Sequence, residues 1–429
     1  MNIKPVSNSN RIIYLDILRG LSILFIFVAN SYAFSGWYGM PDEMYTQFSG
    51  GYLNIIVKKL TVVLVDGKWY SIFSILFGIG FIMQYENAKK IGKSFPLFFS
   101  KRMLGLLLFG LIHLFFFWIG DILTLYALLG FLLILFRNMS KRKLLIWAGI
   151  LLLFPIIHLL LMIGFDAFYP LSFFEPLARY LNHNNFPIAM NINEVDWFAF
   201  DHNFLNVNNW SQFFTINFGL PILRYLEILM EGRIFKVLAC FLIGIWAGRM
   251  ILHEGLLENK GFLKKIVLYG FLIGLPMNIV LAIAKTQAEG IWTIINYTSY
   301  AFGVVPLACA YAAGVALLMQ RRHKILLLLA QVGQTAMSNY IFQTFISVII
   351  FYGVGFGLAF QLPLWAVIVL ALFIYSIQVI LSTQWLKYYR FGPLEWIWRM
   401  MTYQKYIPNN KNQSNLQFKM IRLIKNKNL

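Results

Sequence analysis

The sequence contains few charged residues and few cysteines. Only 12% of its 429 residues are charged, 17 of them Asp or Glu, whereas 59% are hydrophobic. A soluble protein of this length needs far more polar surface, so this composition excludes a globular soluble domain. The two cysteines, Cys240 and Cys309, lie inside apolar segments without metal-ligand spacing, which argues against a structural disulfide and against a metal site. The chain is therefore predicted to be an all-α, multi-pass helical bundle in a membrane.

Several common functional motifs are also missing. The sequence has no P-loop, no HExxH, no nucleophile elbow and no Rossmann fingerprint. Its net charge of +19 would suggest nucleic acid in a soluble protein, but the basic residues lie in short loops between apolar segments. Membrane orientation explains these residues, and we predict no nucleic-acid partner.

Long apolar segments recur along the whole chain and predict about ten membrane spans. Lys and Arg cluster after every even-numbered span, and this alternation predicts that both termini lie in the cytoplasm of a cell-membrane protein. The predicted spans are Ile13–Phe34, Trp69–Gln84, Met103–Gly120, Ile122–Phe136, Leu144–Phe165, Ile234–Met250, Ile266–Ala284, Tyr300–Met319, Ala336–Tyr352 and Leu364–Leu386.

Two further segments divide the chain. The connection at about 166–233 is long, aromatic and rich in Asn, and it is predicted to lie outside the cell. A connection of this length is usually functional, so it is either a lid over an outward-facing site or a disordered loop, and its aromatic content argues against disorder. Residues 1–408 then form the membrane domain, and residues 409–429 form a basic, polar cytoplasmic tail.

The first apolar segment carries a row of polar residues. Asp16, Arg19 and Asn30 fall within roughly 60° of one another on a helix. Charges in a membrane face a protein interior or a wet cavity, usually with a partner. Asp16 and Arg19 could bind a substrate or form a structural ion pair with each other. Asn30 could hydrogen-bond a carbonyl oxygen or hold two helices together.

His113 and Asp121 are candidates for chemistry. His113 lies in an apolar segment with no other ionisable side chain between Arg102 and Asp121. It could act as a proton acceptor, or it could simply hydrogen-bond a neighbouring helix. Asp121 could orient a histidine or a substrate, or it could cap the next helix.

The ninth span and the C-terminal region carry further polar residues. Asn339 and Gln343 belong to a row at every fourth position, which could line a water path or bond adjacent helices. Glu395 is unusual in an interfacial segment rich in aromatic residues, and it could pair with Arg390 or Arg399.

Five blocks of sequence together resemble the YeiB-like bacterial membrane family, also described as domain of unknown function 418. The blocks are YLDILRG (14–20), DGKWYSIFSILFGIGF (66–81), GLIHLFFFWIGDILTLYALLG (110–130), GQTAMSNYIFQT (333–344) and GPLEWIWR (392–399).

That family is similar to the transmembrane acyltransferases, which pass an acetyl group from cytoplasmic acetyl-CoA to a sugar across the membrane. Their first span has an Asp-x-x-Arg-Gly start and an outer Asn, matched here by Asp16, Arg19, Gly20 and Asn30. Their catalytic histidine follows that Asn, but Ser31 to Lys68 contains no histidine. His113 would have to take its place.

The resemblance implies transfer of an acyl group from cytoplasmic acyl-CoA to an extracytoplasmic glycan or small-molecule acceptor. His113, Asp121 and Asn30 would be catalytic, and acyl-CoA would be a co-substrate rather than a covalently bound cofactor. The alternative is a transporter of a small solute or lipid-linked molecule, with Pro155, Pro276 and Pro306 as candidate helix breaks. A homo-oligomer is compatible with either function. Substrate contacts would come from Asp16, Arg19, Asn339, Gln343 and Glu395, and CoA phosphate contacts from Lys101, Arg102, Arg321 and Arg322.

Overall fold

The computed structural model describes residues 12–38, 40–90, 92, 94–165, 169–287, 290–320 and 324–411. Within these ranges the chain is helical, and the β pairing they contain is an isolated bridge between Tyr389 and Asn410. The all-α prediction is therefore confirmed. The helices are α1 Ile13–Phe34, α2 Tyr52–Leu64, α3 Lys68–Lys90, α4 Phe95–Phe116, α5 Leu123–Phe136, α6 Lys141–Gly164, α7 Phe174–His183, α8 Trp197–Leu205, α9 Trp210–Gly219, α10 Pro221–Met230, α11 Arg233–His253, α12 Lys260–Ala284, α13 Ile291–Met319, α14 Lys324–Gln334, α15 Ala336–Phe351, α16 Leu364–Tyr388 and α17 Pro393–Tyr403.

Nine helical segments of the described chain are long and apolar enough to cross a membrane. Eight of them coincide with predicted spans, and the predicted fourth and ninth spans are the shorter apolar helices α5 and α15. The one remaining long apolar segment, Trp210–Met230, comprises α9 and α10 and falls in the connection predicted to lie outside the cell. Its side chains contact the last turn of α4 and the α4–α5 turn, so it packs at this end of α4.

Residues 169–232 fold as a cap made of short helices rather than as an open loop. The side chains of Asp196 and Asn209 accept hydrogen bonds from the first turns of α8 and α9, which fixes where these helices begin. Buried aromatic and aliphatic residues of the cap share one core with Phe34 and Trp118 of the bundle. We call this side of the molecule the cap end.

The cap contains a carboxyl group that couples its stability to pH. Burial, together with the negative charge of Glu227, raises the pKa of Asp201 to about 7 from its ordinary value of 3.8. The folded cap therefore binds this proton more tightly than the unfolded cap does. The free energy of unfolding is expected to fall by on the order of 1 kcal/mol between pH 4 and pH 7, since the partly exposed side of Asp201 is screened.

This pH dependence is checked by thermal unfolding of the cap, followed by hydrogen exchange, at pH 4 to 8. In Asp201→Asn the decrease in stability should disappear. If the stability of Asp201→Asn changes with pH as the wild type does, another group is responsible for the pH dependence.

Helix α14 packs backbone against backbone on α1. A Cβ atom built on Gly20 would lie 2.1 Å from the carbonyl oxygen of Leu329, and one built on Gly333 would lie 1.8 Å from that of Asp16. Only glycine permits this approach at either position. The Gly20 of the Asp-x-x-Arg-Gly start is thus required by helix packing.

The chain that follows α17 packs onto the bundle at the end opposite the cap. The Asn409 side chain is buried and accepts hydrogen bonds from the backbone nitrogens of Arg390 and Phe391. Residues 409–411 therefore continue the folded domain, and the rest of the predicted tail lies outside the described residues.

Candidate active site at the cap end

Asp121 lies in the turn between α4 and α5 and has two roles at once. Its carboxylate accepts hydrogen bonds from the backbone nitrogens of Leu123 (3.1 Å) and Thr124 (2.7 Å), which cap the start of α5. The same carboxylate lies 2.9 Å from Nδ1 of His113. The two interpretations that the sequence left open for Asp121 therefore hold together.

His113 lies in the last turn of α4, and it is 1% exposed. Because an ionised Asp121 only accepts hydrogen bonds, Nδ1 carries the proton and donates it. Nε2 then has a free lone pair, and the hydroxyl of Thr344 lies 3.0 Å from it and donates to it. Asp121, His113 and Thr344 form a buried relay that we call the Asp–His–Thr relay.

Thr344 comes from α15, a helix far away in the sequence. Nothing in the sequence singles it out, because a threonine in an apolar helix usually bonds the carbonyl one turn earlier. Here that contact, to the carbonyl of Tyr340, is 3.5 Å long. The shorter contact to His113 appears only when α4 and α15 are placed side by side.

Aromatic rings and cap residues enclose the relay. The ring centroid of His113 lies 5.1 Å from that of Tyr340 and 6.4 Å from that of Trp118. Arg224 of α10 donates to the backbone carbonyl of Asp121 at 3.4 Å, and its charge is paired with Glu227. The cap thus contacts the same turn that holds the Asp121 carboxylate.

Asp16 and Arg19 lie far from the relay. Their side chains form an ion pair of 2.8 Å near the start of α1. The far end of that helix, where Phe34 packs on Trp118 with ring centroids 4.3 Å apart, is about 27 Å away along the axis. The structure therefore does not bring Asp16, Arg19 and His113 together in one chamber. Asn30 is half-buried near the cap end of α1. It is not the hydrogen-bond partner of Nε2 of His113, which is the Thr344 hydroxyl.

Asn339 and Gln343 connect α15 to α16. The Asn339 amide donates to the Thr335 hydroxyl at 2.8 Å and to the Ser382 hydroxyl at 3.0 Å. The Gln343 amide donates to Gln378 at 2.8 Å. These contacts are interhelical hydrogen bonds, and substrate binding by either side chain stays a prediction.

Glu395 lies against the start of α15, and its closest partners are not the arginines that the sequence suggested. Its carboxylate accepts hydrogen bonds from the backbone nitrogens of Met337 and Ser338, at 2.7 and 3.1 Å, and from the Ser338 hydroxyl at 2.6 Å. The carboxylate therefore accepts hydrogen bonds from the free backbone amides at the start of α15, and its negative charge lies at the positive end of that helix dipole.

Lys101 and Arg102, two of the four residues predicted to bind CoA phosphates, lie at the opposite end from the cap. The Arg102 guanidinium stacks 3.7 Å from the centroid of Trp398, and the Trp398 indole donates to the Arg102 carbonyl at 2.8 Å. Lys101 contacts the side chain of Gln404. Arg321 and Arg322 lie outside the described residues.

Comparison with known proteins finds the same kind of relatives that the five blocks of sequence suggest. Residues 247–405 match a family described as "Protein of unknown function (DUF418)". A Bacillus subtilis (strain 168) protein, "Uncharacterized protein YxaH", is 29% identical over 95% of this chain and 98% of its own length. Escherichia coli (strain K12) "Uncharacterized protein YeiB" is 24% identical over 91% of this chain and 96% of its own length. The chain is therefore similar to the DUF418 family over residues 247–405, and to YxaH and YeiB along almost its whole length.

A third similar protein is the "Uncharacterized 39.9 kDa protein in amylase 3'region" of Bacillus acidopullulyticus, 29% identical over 94% of this chain and 97% of its own length. No solved structure matches the chain. The DUF418 match includes Thr344 but not His113 or Asp121, so the relay joins this region to the N-terminal half.

Proposed function

We propose that this protein is a cell-membrane acyltransferase that moves an acyl group from cytoplasmic acyl-CoA to an extracytoplasmic glycan or small molecule. The Asp–His–Thr relay is the observation that supports it. A hydroxyl within hydrogen-bond reach of a histidine, which is in turn oriented by a carboxylate, is the arrangement of an activated nucleophile.

In the first half-reaction, the Thr344 hydroxyl oxygen attacks the thioester carbonyl carbon while Nε2 of His113 takes the hydroxyl proton. The carbon–sulfur bond then breaks, the sulfur leaves with the proton from Nε2, and the acyl group is held as an ester of Thr344. Asp121 keeps Nδ1 protonated and stabilises the imidazolium that forms in between.

In the second half-reaction, a hydroxyl or amine of the acceptor gives its proton to Nε2 and attacks the ester carbonyl. The bond to Thr344 breaks, and the threonine oxygen recovers the proton. The developing oxyanion needs a donor. The Asn339 amide already donates to Thr335 and Ser382, so Asn30 is the predicted donor.

The acyl donor would enter from the end that carries Lys101 and Arg102. Arg102 and His113 are eleven residues apart on α4, which corresponds to roughly 16 Å along the helix axis. An extended thioester arm would have to cover this distance with its phosphates at Arg102. The Arg102 guanidinium stacks on the ring of Trp398, which holds it at this end of α4.

Asp121→Asn is expected to slow acyl transfer by on the order of 10²-fold, because a neutral amide no longer stabilises the imidazolium. The asparagine oxygen still caps α5, so the folded structure should persist. The measurement is acetyl-CoA turnover by purified protein in nanodiscs, with thermal unfolding as the check on folding. Wild-type turnover in this variant would remove Asp121 from the mechanism.

The proposed function is tested by isotope exchange without an acceptor. Purified protein is incubated with acetyl-CoA and radiolabelled CoA, and label in acetyl-CoA is measured. A covalent acyl-threonine predicts exchange, and acid-quenched protein should carry one acetyl group on the peptide that contains Thr344. Absence of both the exchange and the acetylated peptide would overturn the mechanism.

Transport is the second candidate function, because one observation favours it. Pro155, Pro276 and Pro306 lie inside continuous helices, whereas the α14–α15 helix is interrupted at Thr335. Interrupted helices often form substrate sites in transporters. Here, however, Glu395 already occupies the free amides at the start of α15. Solute uptake by proteoliposomes without any acyl donor would favour transport.

A further inference from the structure

A second polar cluster lies at the cap end, apart from the relay. Lys236, in the first turn of α11, is 3% exposed. Within the described part of the chain, its Nζ atom has no hydrogen-bond partner. A buried lysine nitrogen without a hydrogen-bond acceptor is costly, because it has lost the hydrogen bonds that water provided.

Two tyrosines flank the Lys236 ammonium group. Nζ lies 3.7 Å from the ring centroid of Tyr300 and 4.5 Å from that of Tyr70. The two tyrosine hydroxyls are 2.7 Å apart, so one donates to the other and the second keeps a free proton. Both tyrosines are half-buried, whereas Lys236 itself is buried. Lys236 and the free hydroxyl proton together offer four unused donors.

The other basic groups around Lys236 have identified partners. Lys68 is buried and donates to the carbonyl of Val62 at 2.6 Å. Lys285 pairs with Asp66 at 2.6 Å, and Arg233 pairs with Glu231. Among these four Lys and Arg side chains of the described chain, Lys236 is therefore the one whose terminal nitrogen has no hydrogen-bond acceptor.

We infer that Lys236, with Tyr70 and Tyr300, binds the oxyanion of a phosphate ester. Such a group supplies several acceptor oxygens for these donors, and its negative charge pairs with the ammonium form of Lys236. Lys236 is the fourth residue of α11 and Tyr70 the third residue of α3, so both lie within about 5 Å of the start of their helices. Tyr300 reaches the same cluster from deeper in its own helix, as the tenth residue of α13.

The phosphate ester can belong to a lipid headgroup or to a free molecule. If acyl transfer is the activity, the same site would hold the phosphate of the acceptor, and that extension rests on the proposed function. The binding itself does not require transfer. We therefore expect His113→Ala to lose acyl transfer and to keep phosphate binding.

Binding is measured on protein in phosphatidylcholine nanodiscs. Titration calorimetry with glycerol 1-phosphate tests the free ester, and native mass spectrometry of retained phosphatidylglycerol tests the headgroup. Binding in either arm that falls roughly tenfold or more in Lys236→Met supports the site and identifies the source. Tyr300→Phe, which removes one of the two tyrosine hydroxyls, should weaken the same binding more mildly.

Lys264→Met is the matched control, because Lys264 is an exposed lysine of α12. It should bind like the wild type. Phosphate binding that is absent in the wild type, or equal in Lys236→Met and Lys264→Met, would overturn the inference. So would binding of acetate in place of both phosphate esters. A failure here alongside intact CoA exchange would leave the proposed acyl transfer standing.

Discussion

Replacing Thr344 with valine is expected to abolish acyl transfer, with a loss on the order of 10³-fold or more. Valine has nearly the same shape, so α15 should pack as before, but no hydroxyl remains to donate to Nε2 of His113. Without that oxygen no acyl ester can form at this position. CoA exchange and acetylation of the Thr344 peptide should therefore disappear together.

Thr344→Ser is the informative companion to the valine variant. Serine keeps the hydroxyl and loses only a methyl group, so it should retain exchange and accumulate the acylated peptide. If the valine variant exchanges CoA at the wild-type rate, Thr344 is not the nucleophile. Another side chain would then have to carry the acyl group.

Replacing His113 with alanine is the second variant with a very large expected effect, also on the order of 10³-fold or more in turnover. The base that takes the Thr344 proton is gone, and Asp121 is left without the imidazole that it orients. Added imidazole should restore part of the activity if the cavity left by the side chain is accessible to it.

His253→Ala is the control for His113, because His253 is an exposed histidine at the end of α11. It should turn over acetyl-CoA as the wild type does. Turnover that survives in His113→Ala, measured on protein with a wild-type unfolding temperature, would exclude His113 as the base.

The membrane bundle was accessible from the sequence because its signal is local. Each long apolar stretch reports its own helix, and eight of the nine long apolar segments fall where hydropathy predicts them. The cap was harder to assign, because α9 and α10 are as apolar as a span while lying across the end of α4. Tertiary contacts, and not composition, distinguish these two situations.

The site was only partly predictable, and the reason is again the range of the interactions. His113 and Asp121 are eight residues apart, so a single helix and its turn bring them together. Thr344 is 231 residues from His113, and no spacing rule connects the two. The contacts of Glu395 and Lys236 could not be predicted for the same reason. The partners of Glu395 lie on α15, and those of Lys236 lie on α3 and α13.

The backbone contact of α14 with α1 bears on the position of Thr344. Neither helix can slide past the other, because Gly20 and Gly333 lie directly against the carbonyl groups of Leu329 and Asp16. Beyond Thr335, α15 packs on α1 and forms side-chain hydrogen bonds to α16, and Glu395 lies at its start. A larger side chain at Gly20 or Gly333 would push α14 away from α1, and α15, which follows directly in the chain, would carry the Thr344 hydroxyl away from the imidazole.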